Sequence, residues 1–273
     1  MGYPDPMPTK RLHIVDGEST GGSLRGSGLG KSTDILCWKD ALYTGPVPTG
    51  LSLEKLSTLR SKFWTAGKRK NEFQKRDAQL LTWREYDEIV LWFGSTSICQ
   101  LSLAQILAWS GRQKLGQRRI SLIAAYGGML RPEQLHVPYE ARKTVTSEQV
   151  QLATRFWRAF TSSTPDALQR LLKANLLPLP EVRHTINELL QEYPSRYDGL
   201  SRLERRLLLE FAGMGTATAA FAVCSVIRRD WVGDTQLFGM LRRFAAAPNP
   251  LLTFADSFTE SSKATSLIEL GSD

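Results

Sequence analysis

The most informative part of the sequence is Arg11-Leu-His-Ile-Val-Asp-Gly-Glu-Ser-Thr-Gly-Gly-Ser-Leu-Arg25. Its apolar run, Leu12–Val15, is followed at once by a polar, glycine-rich turn. This order predicts a buried strand that delivers a loop to the carboxyl edge of an α/β sheet, where ligands of such sheets bind. The stretch therefore indicates where a site lies, but it does not define a reaction.

Three further short apolar runs predict the rest of the sheet: Asp34–Trp38, Glu88–Gly94 and Arg119–Ala125. Helical patterns lie between these runs. Strands that alternate with helices are typical of parallel βαβ units. We therefore expect an α/β fold over residues 10–140: a Rossmann-like, mostly parallel sheet of about four strands, flanked by helices.

The strand pattern stops after about residue 140. Periodic apolar positions in Ser147–Phe160 and Asp234–Ala247 instead predict helices, the first with a capped start. We expect residues 141–255 to form a mainly α-helical C-terminal domain. Residues 1–9 are expected to be an N-terminal extension, and residues 256–273, rich in Ser, Thr and Glu, a disordered tail.

Composition excludes several classes of protein. Of the 273 residues, 42% are hydrophobic and 23% charged, as in ordinary globular proteins. No apolar run reaches the roughly 20 residues that span a bilayer, so we expect no membrane association and a cytoplasmic protein. The 3 cysteines and 3 histidines are dispersed, which predicts neither a disulfide framework nor a metal site.

Polar side chains after the first two strands form the predicted ligand site. If the strands are parallel, Asp40 shares a sheet edge with Asp16, Glu18 and Ser19, and these four are the candidate catalytic residues. Short glycine-rich loops at such an edge approach ligands closely. The predicted ligand-binding residues are Asp16, Ser19, Thr20, Ser23, Trp38 and Asp40. Turn and cap formation by Asp and Ser is the structural alternative.

Two motifs near this loop suggest enzymes. Gly17-Glu-Ser-Thr-Gly21 matches the G-x-S-x-G of a nucleophile elbow, and Gly-Glu-Ser after the first strand resembles the opening block of SGNH-type esterases. The late Asp-x-x-His of those enzymes has its nearest counterpart in Glu181-Val-Arg-His184, within a helical pattern. Gly26-Ser-Gly-Leu-Gly-Lys-Ser32 resembles a P-loop, but it leaves one residue too few between its first glycine and Gly-Lys-Ser.

A basic segment offers a different function. The net charge is +8, and the residues of Arg60–Arg76 that could contact nucleic acid are Arg60, Lys62, Lys68, Arg69, Lys70, Lys75 and Arg76. The segment is either a solvated helix face or a polyanion-binding patch. The pattern around Arg202–Glu210 is also compatible with a helix-turn-helix-like arrangement that binds DNA.

The chain from about residue 11 to residue 254 resembles a bacterial family catalogued as domain of unknown function 1835. The resembling pieces are His13–Thr20, Ser23–Arg25, Trp38–Asp40, Gly45–Pro48, Phe73, Arg76–Asp77, Tyr86–Phe93, Gln100–Leu101, Pro132–Leu135, Tyr193–Ser195 and Gly199–Arg205. The resemblance implies the fold and its boundaries but no reaction. Family members usually carry Glu-His-Asp where this chain has Gly94-Ser-Thr96, so we expect no divalent metal at this triplet.

The residues favour a protein that binds a small polar or anionic ligand at the carboxyl edge of the sheet. A hydrolase or transferase that uses the Asp16–Ser19 loop is one alternative. A nucleic-acid-associated regulatory protein that uses the basic segment or the C-terminal helices is the other. No motif identifies a cofactor.

Overall fold

The computed structural model describes residues 9–65, 70–214, 216–230, 232–246, 248, 250–254 and 267–270. The chain forms two compact units, with the division between Glu188 and Leu189. The predicted domain boundary lies at residue 140. The structure divides later because the helix that begins at Ser147 packs on the helix that begins at Ser97. Among the described residues, no helix is long and apolar enough to cross a membrane.

The first unit is built on a five-stranded sheet whose spatial order is β2-β1-β3-β4-β5. The strands are β1 (Arg11–Val15), β2 (Ile35–Cys37), β3 (Glu88–Trp92), β4 (Arg119–Leu122) and β5 (Lys143–Thr144). The first four are parallel, and β5 is antiparallel to β4. The predicted α/β class and its mostly parallel sheet are confirmed. The fifth strand has only two residues, both exposed, so no apolar run revealed it.

The sheet is flanked by helices. The helices in this part of the chain are α1 (Glu18–Ser27), α2 (Leu53–Thr65), α3 (Lys70–Leu81), α4 (Ser97–Ser110), α5 (His136–Glu140), α6 (Ser147–Phe160), α7 (Asp166–Leu171) and α8 (Glu181–Gln191), the last of which crosses the division between the two units. The start of α6 is capped as predicted: Thr146 Oγ1 accepts from the Gln149 amide at 3.2 Å, and the Gln149 side chain accepts from the Thr146 amide.

One face of the sheet buries aromatic and aliphatic side chains beneath α1 and the segment around α5. Trp92 and Val15 pack there with Leu24 and Leu135. His13 lies on the same face, and its Nδ1 accepts a hydrogen bond from Trp92 Nε1 at 3.1 Å. Burial lowers the pKa of His13 to about 4, so this imidazole is a neutral core residue near neutral pH.

Glu88 joins three segments at the amino edge of the sheet. Its buried carboxylate accepts hydrogen bonds from four side chains: Arg11, Arg119, Ser121 and Arg142. Burial alone would raise the pKa of Glu88, but the bonds from Arg142, Ser121, Arg119 and Arg11 outweigh it and hold that pKa far below its usual range. The carboxylate therefore stabilises the sheet while it is ionised.

Replacing Glu88 with Gln should lower the free energy of unfolding by about 2 kcal/mol at neutral pH, since charged hydrogen bonds to a buried group are lost. Because its pKa is lowered in the folded state, the contribution is present above the ordinary carboxyl pKa and is lost as pH falls. The difference in free energy of unfolding between the wild type and Glu88→Gln, measured by urea denaturation, should therefore become smaller below about pH 4. Glu85→Gln, at an exposed ion pair with Lys10, is the matched control. Equal effects of the two substitutions would contradict the structural role of Glu88.

The second unit combines helices with a small sheet. It contains α9 (Arg202–Met214), α10 (Ala219–Asp230) and α11 (Asp234–Ala246), with β6 (Thr216–Thr218), β7 (Leu252–Phe254) and β8 (Leu267–Leu270). The sheet is antiparallel in the order β6-β8-β7. Within the predicted tail over 256–273, the structure describes Leu267–Leu270, which form β8 and pair with β6 and β7. The rest of that tail lies outside the described residues.

Candidate functional site

The candidate site lies where the chain order of the sheet reverses. From β1 the chain moves outward to β2, and it then crosses to β3 on the other side of β1. In parallel α/β sheets a crevice opens at such a reversal, beyond the carboxyl ends of the strands. Here Asp16 follows β1 and Gly94 follows β3. The Asp16 amide donates to Trp92 O at 3.1 Å and so continues the strand pairing to this edge.

The Asp16 carboxylate collects hydrogen bonds from each segment that borders the crevice. Oδ1 accepts from Thr20 Oγ1 in α1 at 2.5 Å. Oδ2 accepts from the Gly94 amide at 3.1 Å, the Tyr126 hydroxyl at 3.1 Å and Cys99 Sγ at 3.3 Å. The carboxylate is therefore engaged by protein donors on both oxygens. Its role here is to fix the loops after β1, β3 and β4 relative to one another.

Cys99 and Tyr126 are hydrogen-bond donors in this cluster. Burial, reinforced by the Asp16 charge, raises the pKa of the Cys99 thiol to about 12. The same two causes raise the pKa of Tyr126 well above its usual value. Both groups stay protonated near neutral pH, so neither is an activated nucleophile or a base.

Two helices begin beside the crevice. Neither α1, after Gly17, nor α4, after Thr96, has a hydrogen bond from its amides to the side chain of its N-cap residue. The amides of a helix start attract hydrogen-bond acceptors and negative charge. The Ser97 hydroxyl at the start of α4 donates to Glu188, which also contacts His184 at 3.4 Å. This contact puts one carboxylate beside the start of α4.

The predicted residues of the first loop divide by role. Asp16 and Thr20 bond to each other, and Thr20 is buried. Ser19 is exposed and Ser23 half-buried on α1. Glu18 is exposed too; a hydrogen bond from Lys39 is the main cause that lowers its pKa. Among the described residues, no histidine or carboxylate contacts Ser19, so the structure gives this serine no activating base.

Asp40 and Trp38 do not join this loop, contrary to the sequence prediction. The buried Asp40 carboxylate accepts from Arg60 Nη2 at 2.6 Å and from Trp64 Nε1 at 3.2 Å. Trp38 is also buried, and its Nε1 donates to Gln105 at 3.0 Å. No hydrogen bond between described residues connects Asp40 with Asp16 or Ser19. Asp40 is instead one half of an interior ion pair, because α2 brings Arg60 against it.

The basic segment is also different from the prediction. The Arg60 side chain is fully buried against Asp40, and Arg76 is buried against Asp77. Neither guanidinium is available to a polyanion. Lys62 and Lys75 are exposed. Lys68, Arg69 and the side chain of Lys70 lie outside the described part of the chain.

The glycine-rich stretch Gly26–Ser32, which resembles a P-loop, begins inside a helix and not in a phosphate-binding loop. Helix α1 continues through Gly26 and Ser27 and ends at Gly28, whose φ of 76° is in the left-handed region. Only Gly among the residues takes this conformation without steric cost, which makes it a common helix terminator. The glycines here therefore end a helix and lead to β2.

Two cavities of the first unit lie elsewhere. The larger, of about 520 Å³, is lined by α2, α3 and the end of α4. The other, of about 420 Å³, lies beyond β4 and is lined by residues such as Phe93, Ile123 and Leu179. Neither is lined by Asp16, Ser19 or Asp40. Among the described residues, no group of three or more His, Cys, Asp or Glu side chains is arranged to hold a metal ion.

Asp16 was predictable from the sequence, but most of its hydrogen-bond partners were not. Tyr126 and Cys99 carry no local signal, because they are separated from Asp16 by 110 and 83 residues. The triplet Gly94-Ser-Thr96 was recognised only as a departure from a resembling family. In comparisons with known proteins, no family model matches the chain and no curated protein is similar to it.

A side chain at Gly94 would be crowded, because a Cβ there would lie 3.0 Å from Tyr126 O, which would have to shift slightly, and 3.5 Å from Asp16 Oδ2. We expect Gly94→Ala to lower the free energy of unfolding by about 1 kcal/mol or more. Gly127→Ala is the control, since a Cβ at that position meets nothing within 4 Å. Chemical denaturation of both variants measures the difference, and a neutral Gly94→Ala would show that the Asp16 cluster is loosely packed.

Proposed function

We propose that the protein binds a small polar or anionic ligand at the carboxyl edge of the sheet, between β1 and β3. The observation that carries this proposal is the start of two helices, α1 and α4, without side-chain caps on either side of the point where chain order reverses. Amides at such starts donate to phosphate, carboxylate or hydroxyl groups. Ser19, exposed on the first turn of α1, adds a hydroxyl.

The Asp16 cluster supports the same proposal. A carboxylate that is hydrogen-bonded to α1, to the Gly94 amide and to Tyr126 keeps the crevice walls in place before a ligand arrives. A site that is already ordered loses less entropy on binding. The Rossmann-like classification, the resemblance to domain of unknown function 1835 and the cytoplasmic location remain part of this proposal.

The two alternatives have less support. A hydrolase or transferase needs a base beside Ser19, and among the described residues Ser19 contacts none. For a nucleic-acid binder that uses Arg60–Arg76, two of the predicted cations, Arg60 and Arg76, are not available, because each forms a buried ion pair. Binding of a ligand, without an assigned reaction, is therefore the function that we propose.

Substitutions that change charge at the crevice should change anion binding in opposite directions. Calorimetric titration with inorganic phosphate and with ribose 5-phosphate should detect saturable binding. Ser19→Asp should weaken it at least about tenfold, because it puts a carboxylate at the start of α1. Glu188→Gln should strengthen it, since a negative charge beside the start of α4 is removed.

Ser163→Asp, at an exposed turn of the first unit, is the matched control and should leave binding unchanged. Equal losses in Ser19→Asp and Ser163→Asp would show that only overall charge matters. Absence of saturable binding of both phosphates would contradict an anionic ligand at this crevice.

A further inference from the structure

The larger cavity lies apart from the crevice between β1 and β3. It occupies about 520 Å³ between α2, α3 and the last turn of α4. Its volume falls within the range typical of small-molecule sites, roughly 300–1,000 Å³. Its apolar lining includes Leu53, Phe73, Leu81 and Trp109, and its polar lining includes Ser57 and Asp77. The lining also includes the polar residues Glu54, Gln74, Arg112 and Gln113. Apolar walls that carry placed polar groups are typical of sites that orient a ligand.

Ser57 and Asp77 are both buried. They lie beside one another, since a single nitrogen of Arg76 donates a hydrogen bond to each. Arg76 Nη2 donates to Ser57 Oγ at 2.7 Å and to Asp77 Oδ1 at 2.7 Å. The guanidinium is held over the Trp38 ring at 4.0 Å and over the Phe73 ring at 4.8 Å. The aromatic rings and the two acceptors fix the position of Arg76, so the polar groups at the cavity are preorganised.

The protein leaves part of this polar cluster unsatisfied. Both hydrogen bonds that Arg76 gives to Asp77 end on Oδ1, so among the described residues Oδ2 has no donor. Ser57 Oγ accepts from Arg76, and its own O–H finds no acceptor there. The buried Arg76 Nη1 has no partner either. Asp77 and Ser57 line the cavity, so this free acceptor and this free donor are available to a molecule that enters it.

The two free groups form a complementary pair toward the cavity. Asp77 Oδ2 accepts a hydrogen bond, while the Ser57 hydroxyl beside it donates one. Arg76 already balances the Asp77 charge, so this pair suits a neutral partner better than an organic cation. The apolar walls suit a flat, weakly polar surface.

From this arrangement we propose that the cavity binds a planar nitrogen heterocycle of nucleobase or nucleoside size. The ligand would present an N–H donor to Asp77 and an adjacent ring nitrogen or carbonyl to Ser57. This site is independent of the anion site proposed at the carboxyl edge. It also needs no phosphate on its ligand.

Calorimetric titration with nucleosides tests the proposal, because nucleosides lack the phosphate that the crevice would recognise. Adenosine and cytidine each carry an amino donor beside a ring-nitrogen acceptor. At least one should bind with a Kd below about 1 mM. Purine riboside lacks the amino group. It should bind about tenfold more weakly than adenosine, because without that amino group Asp77 Oδ2 stays unpaired.

Ala78→Trp should abolish nucleoside binding, because Ala78 is an exposed helical residue that lines the cavity. Ala212→Trp, at an exposed position of α9 in the second unit, is the matched control. Ser57→Ala should weaken adenosine binding about tenfold, because the Ser57 hydroxyl donor is lost. Ser19→Asp, at the crevice, should leave adenosine binding unchanged, which separates this site from the proposed anion site.

Three results would overturn the proposal. The first is the absence of binding by adenosine and cytidine at roughly 1 mM. The second is equal affinity for adenosine and purine riboside, which would exclude recognition of the donor by Asp77. The third is adenosine binding that survives Ala78→Trp or is lost in Ser19→Asp, which would put the ligand elsewhere. Circular dichroism of each variant establishes that it is folded.

Discussion

The candidate site depends on the hydrogen bonds of a single carboxylate. Asp16 stands at the carboxyl end of β1, and its donors come from α1, from the backbone after β3, from α4 and from the segment after β4. Loop segments at a sheet edge have few regular hydrogen bonds of their own. A charged acceptor that bonds to all of them determines their mutual positions. Because both oxygens of the Asp16 carboxylate already accept hydrogen bonds from the protein, Asp16 is not free to act on a substrate.

Buried acid–arginine contacts recur through the first unit. Asp40 binds Arg60, Asp77 binds Arg76, and Glu88 binds three arginines at the amino edge of the sheet. The contacts of Asp40 and Glu88 join segments that lie next to each other only in the fold, whereas Arg76 and Asp77 are neighbours in α3. Arginine suits this role because its planar guanidinium donates in several directions and also packs on aromatic rings, as Arg76 does on Trp38. A count of basic residues along the sequence therefore overstates the charge that these segments present to solvent.

The sheet was predictable because each parallel strand is buried on both faces and reads as a short apolar run. The run Glu88–Trp92 is an example, with all five residues buried. The short strands β5 and β8 were not predicted in this way, because both residues of β5 are polar and exposed and because β8 follows a stretch rich in Ser, Thr and Glu. Asp16 was predictable from its place after a strand. Asp40 looked equivalent in sequence, and only the approach of Arg60 on α2 distinguishes an interior ion pair from a ligand contact.

The strand order also has a consequence for synthesis of the chain. β1 pairs with β3 over a separation of 77 residues, since Arg11 lies opposite Glu88. The Tyr126 hydroxyl follows Asp16 by 110 residues. At roughly 5–20 residues per second, a ribosome needs on the order of ten seconds to add that many. Until β3 has been made, β1 has at most β2 beside it, and the backbone N–H and C=O groups on its other edge lack the strand that will pair with them. The nascent chain thus exposes a strand edge for seconds, the interval in which a chaperone or an off-pathway partner can bind it.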